Sequence, residues 1–267
     1  MGTGPDVLLV HAFTSNLAVW MLTGIAEKLS RDFRVTCYDL RGHGVSTVTP
    51  TGYRSDELAN DLHDLARTLA IQPAFIVGHS YGGVVAMHAA ISHPHSVCGI
   101  ILSDTYFPGL RHLEPDMGQS GPWQDLRESL LTVNLEIGET VDFGQLFRLV
   151  ADLPKDKIAE VERKLGPSSS RWLLQIAPLA NTTAARDAFD STRLTAAALC
   201  GIEQPVVALY DEFSPFNATC DYLKNNLKNC TIDVVPEAKH LAPLQNPEVF
   251  ADMVRTYLHK MNGSCTS

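Results

Sequence analysis

Short apolar runs alternate with longer amphipathic patterns along most of the chain. The runs are rich in β-branched and aromatic residues and cover residues 7–10, 34–38, 74–77, 99–102, 205–210 and 231–235. Patterns typical of helices lie between and after them, at residues 18–29, 55–69, 83–93, 220–227 and 247–258. Strands that alternate with helices usually lie parallel in one sheet, because each helix returns the chain to the same sheet edge. The sequence therefore predicts an α/β protein with a mainly parallel sheet.

Residues 106–199 interrupt this alternation. They contain no convincing strand pattern but several amphipathic stretches, at residues 123–131, 143–150 and 155–165, with proline or glycine at the joints. We interpret this segment as a helical lid that is inserted over the carboxyl edge of the sheet, between core segments 1–105 and 200–267. A second helical domain placed elsewhere is the alternative interpretation.

The segment FIVGHSYGGVVAM, residues 75–87, places Ser80 between an apolar run and an alanine-rich helix pattern. Gly78 and Gly82 flank this serine in the spacing G-x-S-x-G. Glycine at these two positions allows a tight turn and a close approach of strand and helix. The arrangement is typical of a nucleophile elbow, which presents a serine hydroxyl above a sheet. Because the motif also occurs by chance, it indicates a function only together with catalytic partners.

Three further motifs supply candidate partners for this serine. His240 follows the last apolar run and precedes the last helix pattern, and such a loop position suits a catalytic base. The segment LLVHAF ends the first apolar run, and the turn-rich segment YDLRGHGVS follows the second. Together, the four motifs stand in the order expected of a serine hydrolase with a sheet core.

These four motifs resemble the α/β-hydrolase superfamily in its helical-lid branch. The resemblance covers almost the whole chain and implies a doubly wound sheet, a Ser-His-acid triad and a pocket between sheet and lid. It also implies that the backbone N–H groups of Phe13 and Tyr81 form an oxyanion hole. Relatives usually have H-G-F where this chain has His11-Ala12-Phe13, and two further strands usually precede that motif. The sequence leaves open whether its start is truncated.

The acid of the triad has more than one candidate. In most relatives the acid ends a Gly-x-x-Asp turn after the penultimate strand, where this chain has Asp211-Glu212-Phe213-Ser214. Some haloalkane dehalogenases and zearalenone-type lactonases look similar in carrying it after the strand that follows the nucleophile helix, where this chain has Asp104. We favour Asp104, with Asp211, Glu212 or a Ser-His dyad without an acid as the alternatives.

Composition narrows the class of ligand. The 267 residues carry 21 basic and 30 acidic groups, a net charge of −9, without a dense Lys/Arg cluster, which argues against nucleic acid and anionic membranes as partners. No apolar stretch approaches the roughly 20 residues of a membrane span. The 6 cysteines lack C-x-x-C pairs, which predicts free thiols and a cytoplasmic location. The spacings of metal sites and nucleotide-binding loops are absent from the sequence, so we expect no metal and no cofactor.

These observations predict a soluble serine hydrolase that cleaves a small-molecule ester or lactone through an acyl-enzyme. A serine at the elbow excludes epoxide hydrolases and haloalkane dehalogenases, which need a carboxylate there. The alternatives are hydrolysis of a C–C bond, a lyase or cyclase reaction on a polyketide-like or aromatic substrate, and a hydrolase-like ligand receptor. Candidates for substrate contact are the aromatic residues Trp123, Phe143, Phe147 and Trp172 of the predicted lid. The sequence does not fix the oligomeric state.

Overall fold

A six-stranded sheet forms the centre of the molecule. The computed structural model describes residues 1–71, 73–115 and 121–265, with side chains through residue 263. The strands are β1 (Asp6–Val10), β2 (Arg34–Cys37), β3 (Ala74–His79), β4 (Val97–Ser103), β5 (Val206–Asp211) and β6 (Cys230–Val235). They pair in the order β2-β1-β3-β4-β5-β6, and every pair is parallel. The prediction of a mainly parallel sheet is confirmed.

Helices connect the strands and cover both faces of the sheet. The core helices of the described residues are α1 (Ala18–Leu22), α2 (Ile25–Leu29), α3 (Ser55–Thr68) and α4 (Tyr81–Ser92), followed near the carboxyl terminus by α11 (Asn217–Asn226), α12 (Ala242–Gln245) and α13 (Pro247–Cys265). The pattern at residues 18–29, which predicts one helix, forms two, because Gly24 has a left-handed φ of 75° between them.

Alternate residues of each buried strand pack on opposite faces of the sheet. In β1, Leu8 and Val10 belong to the apolar core that includes buried residues of α3 and α4. Val7 and Leu9 belong to the core on the other face, which includes buried residues of α1, α2 and α13. Successive side chains of a strand point in opposite directions, so a strand with apolar residues throughout fits between two helical layers. The doubly wound arrangement implied by the resemblance is confirmed.

The segment between β4 and β5 is helical in the described residues. Its α-helices are α5 (Pro122–Leu131), α6 (Phe143–Ala151), α7 (Lys155–Leu165), α8 (Pro167–Ile176), α9 (Ala184–Asp187) and α10 (Ala196–Cys200). Most of these helices pack on a third apolar core, to which α6 contributes Leu146, Phe147 and Val150 from one face. We call this segment the helical insertion.

Polar contacts place the helical insertion over the loop that follows β1. The Trp172 indole N–H donates to the Thr14 carbonyl at 3.0 Å, and the Asn16 amide donates to Gln175 Oε1 at 2.9 Å. Both contacts join α8 to the carboxyl edge of the sheet, where the predicted catalytic loops also lie. The interpretation of the segment as a lid, and the domain bounds 106–199, stay predictions. In the described part of the chain, no helix is both long enough and apolar enough to cross a membrane.

Candidate active site

Ser80 occupies a sharp turn between β3 and α4. Its backbone angles are φ 51° and ψ −117°, a conformation that is rare for a residue with a side chain. The Ser80 N–H donates to the Ser103 carbonyl at 2.8 Å, which ties the turn to β4. A Cβ atom on Gly78 would lie 2.4 Å from the backbone of Gly82, and one on Gly82 would lie 2.2 Å from the Val10 carbonyl oxygen. The close approach of strand, turn and helix therefore requires both glycines of the motif.

His240 and Asp104 are joined by a direct hydrogen bond at the carboxyl edge of the sheet. His240 Nδ1 lies 2.8 Å from Asp104 Oδ2. Asp104 is fully buried directly after β4, and its other oxygen, Oδ1, accepts the Asp211 N–H at 3.1 Å. His240 lies between β6 and α12 and lines the same cavity as Ser80. Because a carboxylate oxygen accepts, Nδ1 is the donor of this bond, and Nε2 is the ring nitrogen that it leaves uncommitted.

His79 holds the backbone of the loop that carries His240. Its Nε2 lies 2.7 Å from the His240 carbonyl oxygen, and a carbonyl can only accept, so Nε2 is protonated. Burial, reinforced by the neighbouring His240 ring, lowers the pKa of His79 to about 4. The His79 ring is therefore neutral at pH 7. Its position directly before the serine was the available sequence signal, but nothing in the motif assigns it this contact.

The two alternative acids make other contacts. Asp211 is buried at the end of β5, and its Oδ2 atom accepts the Ala242 N–H at 3.0 Å. Burial, and then the negative charge of Asp104, raise the pKa of Asp211 to about 7. Glu212 is exposed, and its carboxylate accepts a backbone N–H from the turn after β6 at 2.9 Å. Of the three candidate acids, Asp104 is the one that the structure brings against the His240 ring.

Two buried histidines fix the loop after β1, which carries Phe13. His11 Nε2 accepts the Leu40 N–H at 3.0 Å, and its Nδ1 lies 2.8 Å from the next residue's carbonyl oxygen, to which it donates. His43 Nε2 accepts the Thr14 N–H at 3.1 Å. Burial is the main cause that lowers the pKa of His11 to about 3, so this ring is neutral. The motif YDLRGHGVS, which contains Leu40 and His43, thus supports the conformation of the Phe13 loop.

Phe13 and Tyr81 lie beside Ser80 in the wall of the cavity. Tyr81 is the first residue of α4, so its N–H has no acceptor within the helix. The Phe13 and Tyr81 rings meet edge to face with a centroid distance of 5.6 Å. Because Gly82 packs on the carbonyl of Val10, the start of α4 and the end of β1 are held together. Phe13 and Tyr81 are thereby held close to the nucleophile turn.

A cavity of about 430 Å³ lies between the sheet edge and the helical insertion. Of the predicted substrate contacts, Trp123, Phe143 and Trp172 line it. Phe147 does not belong to the lining, which differs from the prediction. Its side chain is only 1% exposed and packs inside the insertion, with its ring centroid 6.0 Å from that of Phe143. Phe147 supports the wall from behind because α6 turns this side chain toward the interior of the segment.

Several lining residues were not predicted from the sequence. Tyr106 and Phe216 follow β4 and β5, and Leu244 lies on α12, just beyond His240. Their sequence signal is positional, because the carboxyl ends of parallel strands and the loops that follow them form the usual ligand site of such a sheet. Phe216 contacts the His240 ring edge to face at 5.2 Å. It therefore shields one side of the imidazole.

Charged groups are scarce around the cavity. No Lys, Arg, Asp or Glu side chain occurs among the lining residues of the described chain. Within the same residues, no cluster of three His, Cys, Asp or Glu side chains is arranged to hold a metal ion. The arrangement therefore places the Ser80 side chain and the His240 imidazole in mostly apolar surroundings.

Sequence comparison places the chain in a family. Residues 5–247 match the family model of the alpha/beta hydrolase fold. The chain belongs to the α/β-hydrolase fold family. The matched range contains the nucleophile elbow as well as Asp104 and His240.

Individual relatives of this α/β-hydrolase differ in how much they share. Fluoroacetate dehalogenase from Burkholderia sp is 37% identical over 109 residues, which are 39% of this chain and 35% of the dehalogenase. The chain thus aligns with about a third of that relative. 3-Oxoadipate enol-lactonase 2 from Acinetobacter baylyi is 25% identical over 263 residues, 97% of this chain and 90% of the lactonase. A thermophilic esterase from Thermogutta terrifontis has the same fold, with a TM-score of 0.71 at 24% identity, over 98% of this chain and 92% of the esterase.

Proposed function

We propose that this α/β-hydrolase is a cofactor-independent serine hydrolase that cleaves a small-molecule ester or lactone. Ser80 is the nucleophile, His240 the general base and acid, and Asp104 the residue that orients the imidazole. The observation that carries the proposal is the 2.8 Å contact between His240 Nδ1 and Asp104 Oδ2. This contact holds a proton on Nδ1, so Nε2 is the nitrogen that can accept the serine proton in base catalysis.

In the first half of the reaction, Ser80 Oγ attacks the carbonyl carbon while His240 Nε2 takes the hydroxyl proton. The carbonyl π electrons move to oxygen, and the Phe13 and Tyr81 N–H groups stabilise the resulting oxyanion. Loss of one such donor typically costs about 10²–10³ in kcat. His240 then protonates the leaving oxygen as the bond to the carbonyl carbon breaks. The product is an acyl-enzyme, and a lactone would leave its hydroxyl on the same acyl chain.

In the second half, a water molecule attacks the acyl carbon. His240 removes a proton from this water, and the second tetrahedral intermediate uses the same backbone donors. Collapse of the intermediate breaks the bond to Ser80 Oγ, which regains its proton from His240. The acid product leaves, and the enzyme returns to its starting state.

The relatives support ester and lactone cleavage more than dehalogenation. The full-length similarity is to an enol-lactonase, and methyl ester esterases from two Vibrio species match about half of the chain. The chain has a serine at the elbow, whereas formation of an alkyl-ester intermediate needs a carboxylate nucleophile. We therefore attribute the similarity to fluoroacetate dehalogenase to the shared fold and its loops, and not to a shared reaction.

A fluorophosphonate probe tests the proposal directly. Wild-type protein and the variants Ser80→Ala, His240→Ala, Asp104→Asn and Asp211→Asn are incubated with the probe, and the labelled residue is identified by mass spectrometry. Ser92→Ala serves as the matched control, because Ser92 is exposed at the end of the same helix. We expect label on Ser80 in wild type, in Ser92→Ala and in Asp211→Asn, and loss of label in the other three variants.

The remaining outcomes are also informative. Label that survives in Asp104→Asn but is lost in Asp211→Asn would transfer the acid role to Asp211. Folded wild-type protein that takes no label would contradict the serine mechanism and favour a lyase or cyclase. Labelled protein that binds esters tightly without turnover would favour the receptor alternative.

The location and partners of the protein stay predictions. Five described cysteines, at positions 37, 98, 200, 220 and 230, form no disulfide bond. Free thiols support the proposed cytoplasmic location, because that compartment keeps them reduced. We propose a small molecule, and not nucleic acid, as the ligand.

A further inference from the structure

We infer that the cavity selects uncharged substrates and excludes esters and lactones that carry a carboxylate within its walls. This inference rests on the proposed hydrolysis at Ser80 and adds the charge class of the substrate. It follows from three features of the site. These are the residues that line the cavity, the hydrogen bonds already made at its polar end, and the position of Lys239, which directly precedes His240 in the chain.

The first feature is the lining of the cavity. Its 24 described residues include no lysine or arginine that could pair with an anion. Most of the wall is apolar, and the aromatic members are Phe13, Tyr81, Tyr106, Trp123, Phe143, Trp172, Phe189 and Phe216. The rings of Phe143 and Phe189 stack at 5.2 Å with an interplanar angle of 17°, which makes one wall flat. Such a wall favours a flat, apolar group.

The second feature is the polar end of the cavity, formed by Thr14, Ser15, Asn16 and Gln175. These side chains are hydroxyls and amides without charge. The Asn16 and Gln175 amides already bind each other at 2.9 Å. The side-chain oxygen of Asn16, Oδ1, also accepts the Ala18 N–H at 2.9 Å. This end can bind a neutral polar group but offers no cation.

The backbone at this end is also occupied. A series of free N–H groups can hold an anion without any basic side chain. Here the Thr14 N–H donates to His43 at 3.1 Å, and the Ser15 N–H donates to the Ala12 carbonyl at 3.0 Å. The Leu17 N–H donates to an Asp39 carboxylate oxygen at 2.7 Å. The loop therefore uses these donors internally and brings a negative charge behind its backbone.

The third feature is Lys239, which directly precedes His240 in the chain. Its ammonium group lies 2.9 Å from the Asp125 carboxylate on α5, and neither residue belongs to the lining. The pair is neutral as a unit. A bound carboxylate would have to compete with Asp125 for this ammonium group, at the exposed rim and outside the apolar wall.

A carboxylate bound along the walls, away from the proposed oxyanion donors beside Ser80, would lose its hydration without gaining a basic side chain as a partner. Burial of an unpaired charge costs more free energy than almost any other change in a protein interior, whereas burial of an amide of the same shape costs far less. The net charge of −9 also repels anions during their approach. The expected discrimination against a carboxylate is therefore about 100-fold or more in kcat/KM.

Two aryl acetates of the same shape provide the test. 4-Acetoxybenzamide is uncharged, whereas 4-acetoxybenzoate carries a carboxylate at pH 7.5, and in both the para position prevents intramolecular catalysis. Phenol release is measured at pH 7.5, and each kcat/KM is divided by the rate of alkaline hydrolysis of that ester. We expect the corrected ratio to favour the benzamide by about 100-fold or more.

A charge placed at the cavity mouth provides the second arm. Leu244 lines the cavity and is 56% exposed, so Leu244→Lys introduces a cation without filling the core. We expect this variant to reduce the preference for the benzamide by about tenfold. Leu244→Gln controls for loss of the apolar side chain. Leu22→Lys adds the same charge outside the lining, at a residue that is 87% exposed.

The outcomes separate the inference from the proposed function. Equal corrected kcat/KM values for the two esters would overturn the inference and leave the serine hydrolase intact. Leu244→Lys should reduce the preference for the benzamide more than Leu244→Gln and Leu22→Lys do. If it does not, the electrostatic cause of the preference is overturned. Absence of turnover for both esters in folded protein, together with absence of fluorophosphonate labelling, would overturn the proposed function itself.

Discussion

Asp211 is expected to make the stability of the protein fall as the pH rises, and Asp211→Asn removes this dependence. The carboxyl group is 2% exposed, one oxygen accepts the Ala242 N–H, and the other, Oδ1, has no hydrogen-bond partner among the described residues. Burial and the charge of Asp104 raise its pKa from 3.8 to about 7. The folded protein therefore holds a proton at this site over a pH range in which the unfolded chain has released it.

The sign and size of the effect follow from this difference. Between pH 3.8 and pH 7 the native state binds more protons at Asp211 than the unfolded state, so the free energy of unfolding decreases as the pH rises. One pKa unit corresponds to 1.36 kcal/mol, which gives a total of about 4 kcal/mol. About 3 kcal/mol of this falls between pH 5 and pH 8. Below the unfolded pKa and above the folded pKa, the contribution of this group no longer changes.

Urea unfolding at several pH values measures this contribution. The fluorescence of the buried Trp20 and Trp123 reports the transition. Asparagine keeps an oxygen for the Ala242 N–H but adds an amide that has no acceptor, which costs a constant amount at all pH values. The informative quantity is therefore the difference in unfolding free energy between variant and wild type as a function of pH. From pH 5 to pH 8, the unfolding free energy of the variant should increase by about 3 kcal/mol relative to that of wild type.

Glu212→Gln is the matched control, since it removes a carboxylate from the adjacent, exposed position. Its difference from wild type should stay nearly constant across the same pH range. If the curves for wild type and Asp211→Asn are parallel from pH 5 to pH 8, Asp211 is ionised in the folded protein throughout. Burial and the charge of Asp104 would then not keep the Asp211 carboxyl group protonated.

Three further predictions address the rest of the site. Gly82→Ala should lower stability by several kcal/mol in thermal unfolding and reduce fluorophosphonate labelling, because its Cβ would lie 2.2 Å from the Val10 carbonyl oxygen. Gly263→Ala, whose Cβ would have no atom within 4 Å, should change neither stability nor labelling. Trp172→Phe removes the 3.0 Å hydrogen bond to the Thr14 carbonyl and should raise KM several-fold, while circular dichroism shows an unchanged fold. An unchanged KM would show that this contact does not shape the cavity. Wild-type stability should also fall as the pH drops below about 6.5, because His11 and His79, with pKa values of about 3 and about 4, stay neutral in the folded state while the unfolded chain takes up protons. The two histidines together outweigh the opposite contribution of the single Asp211 carboxyl group, and stability that stays flat down to pH 4 would contradict this.

The sheet could be predicted from the sequence because its strands are buried on both faces. Such strands appear as short, continuous apolar runs, and each of the six runs corresponds to an observed strand with ends shifted by at most two residues. The break at Gly24 was not predicted, since the residues on both sides continue one amphipathic pattern. A glycine within a helix pattern is compatible with a continuous helix, and its left-handed φ is set by packing of the two short helices.

The site could be predicted only in part. The elbow serine and His240 are marked by local motifs, but the choice of acid is not local. Asp104 and Asp211 both end buried, adjacent strands, and the sequence cannot show which carboxyl group meets the imidazole. Phe147 illustrates a related gap, because its distance of four residues from Phe143 places both on one face of α6. The packing of that helix then turns only Phe143 into the cavity.

The three residues of the proposed triad share a backbone feature that no sequence pattern indicates. Ser80, Asp104 and His240 have φ values of 51°, 43° and 63°. Left-handed backbone costs residues with side chains of order 1 kcal/mol each, and glycine would avoid that cost. Hydrogen bonds to Ser80 N–H, Asp104 N–H and the His240 carbonyl, each between 2.7 and 2.8 Å, hold these conformations.

These bonds come from neighbouring strands and from His79, so the sheet itself enforces the geometry. Residues in such conformations cluster at functional sites, where the side chain has a use that glycine cannot supply. Positive-φ residues in the turns that follow β3, β4 and β6 direct three chemically different side chains to one edge of the sheet. We therefore attribute the strain to the arrangement of a nucleophile, a base and an acid, and not to the requirements of folding.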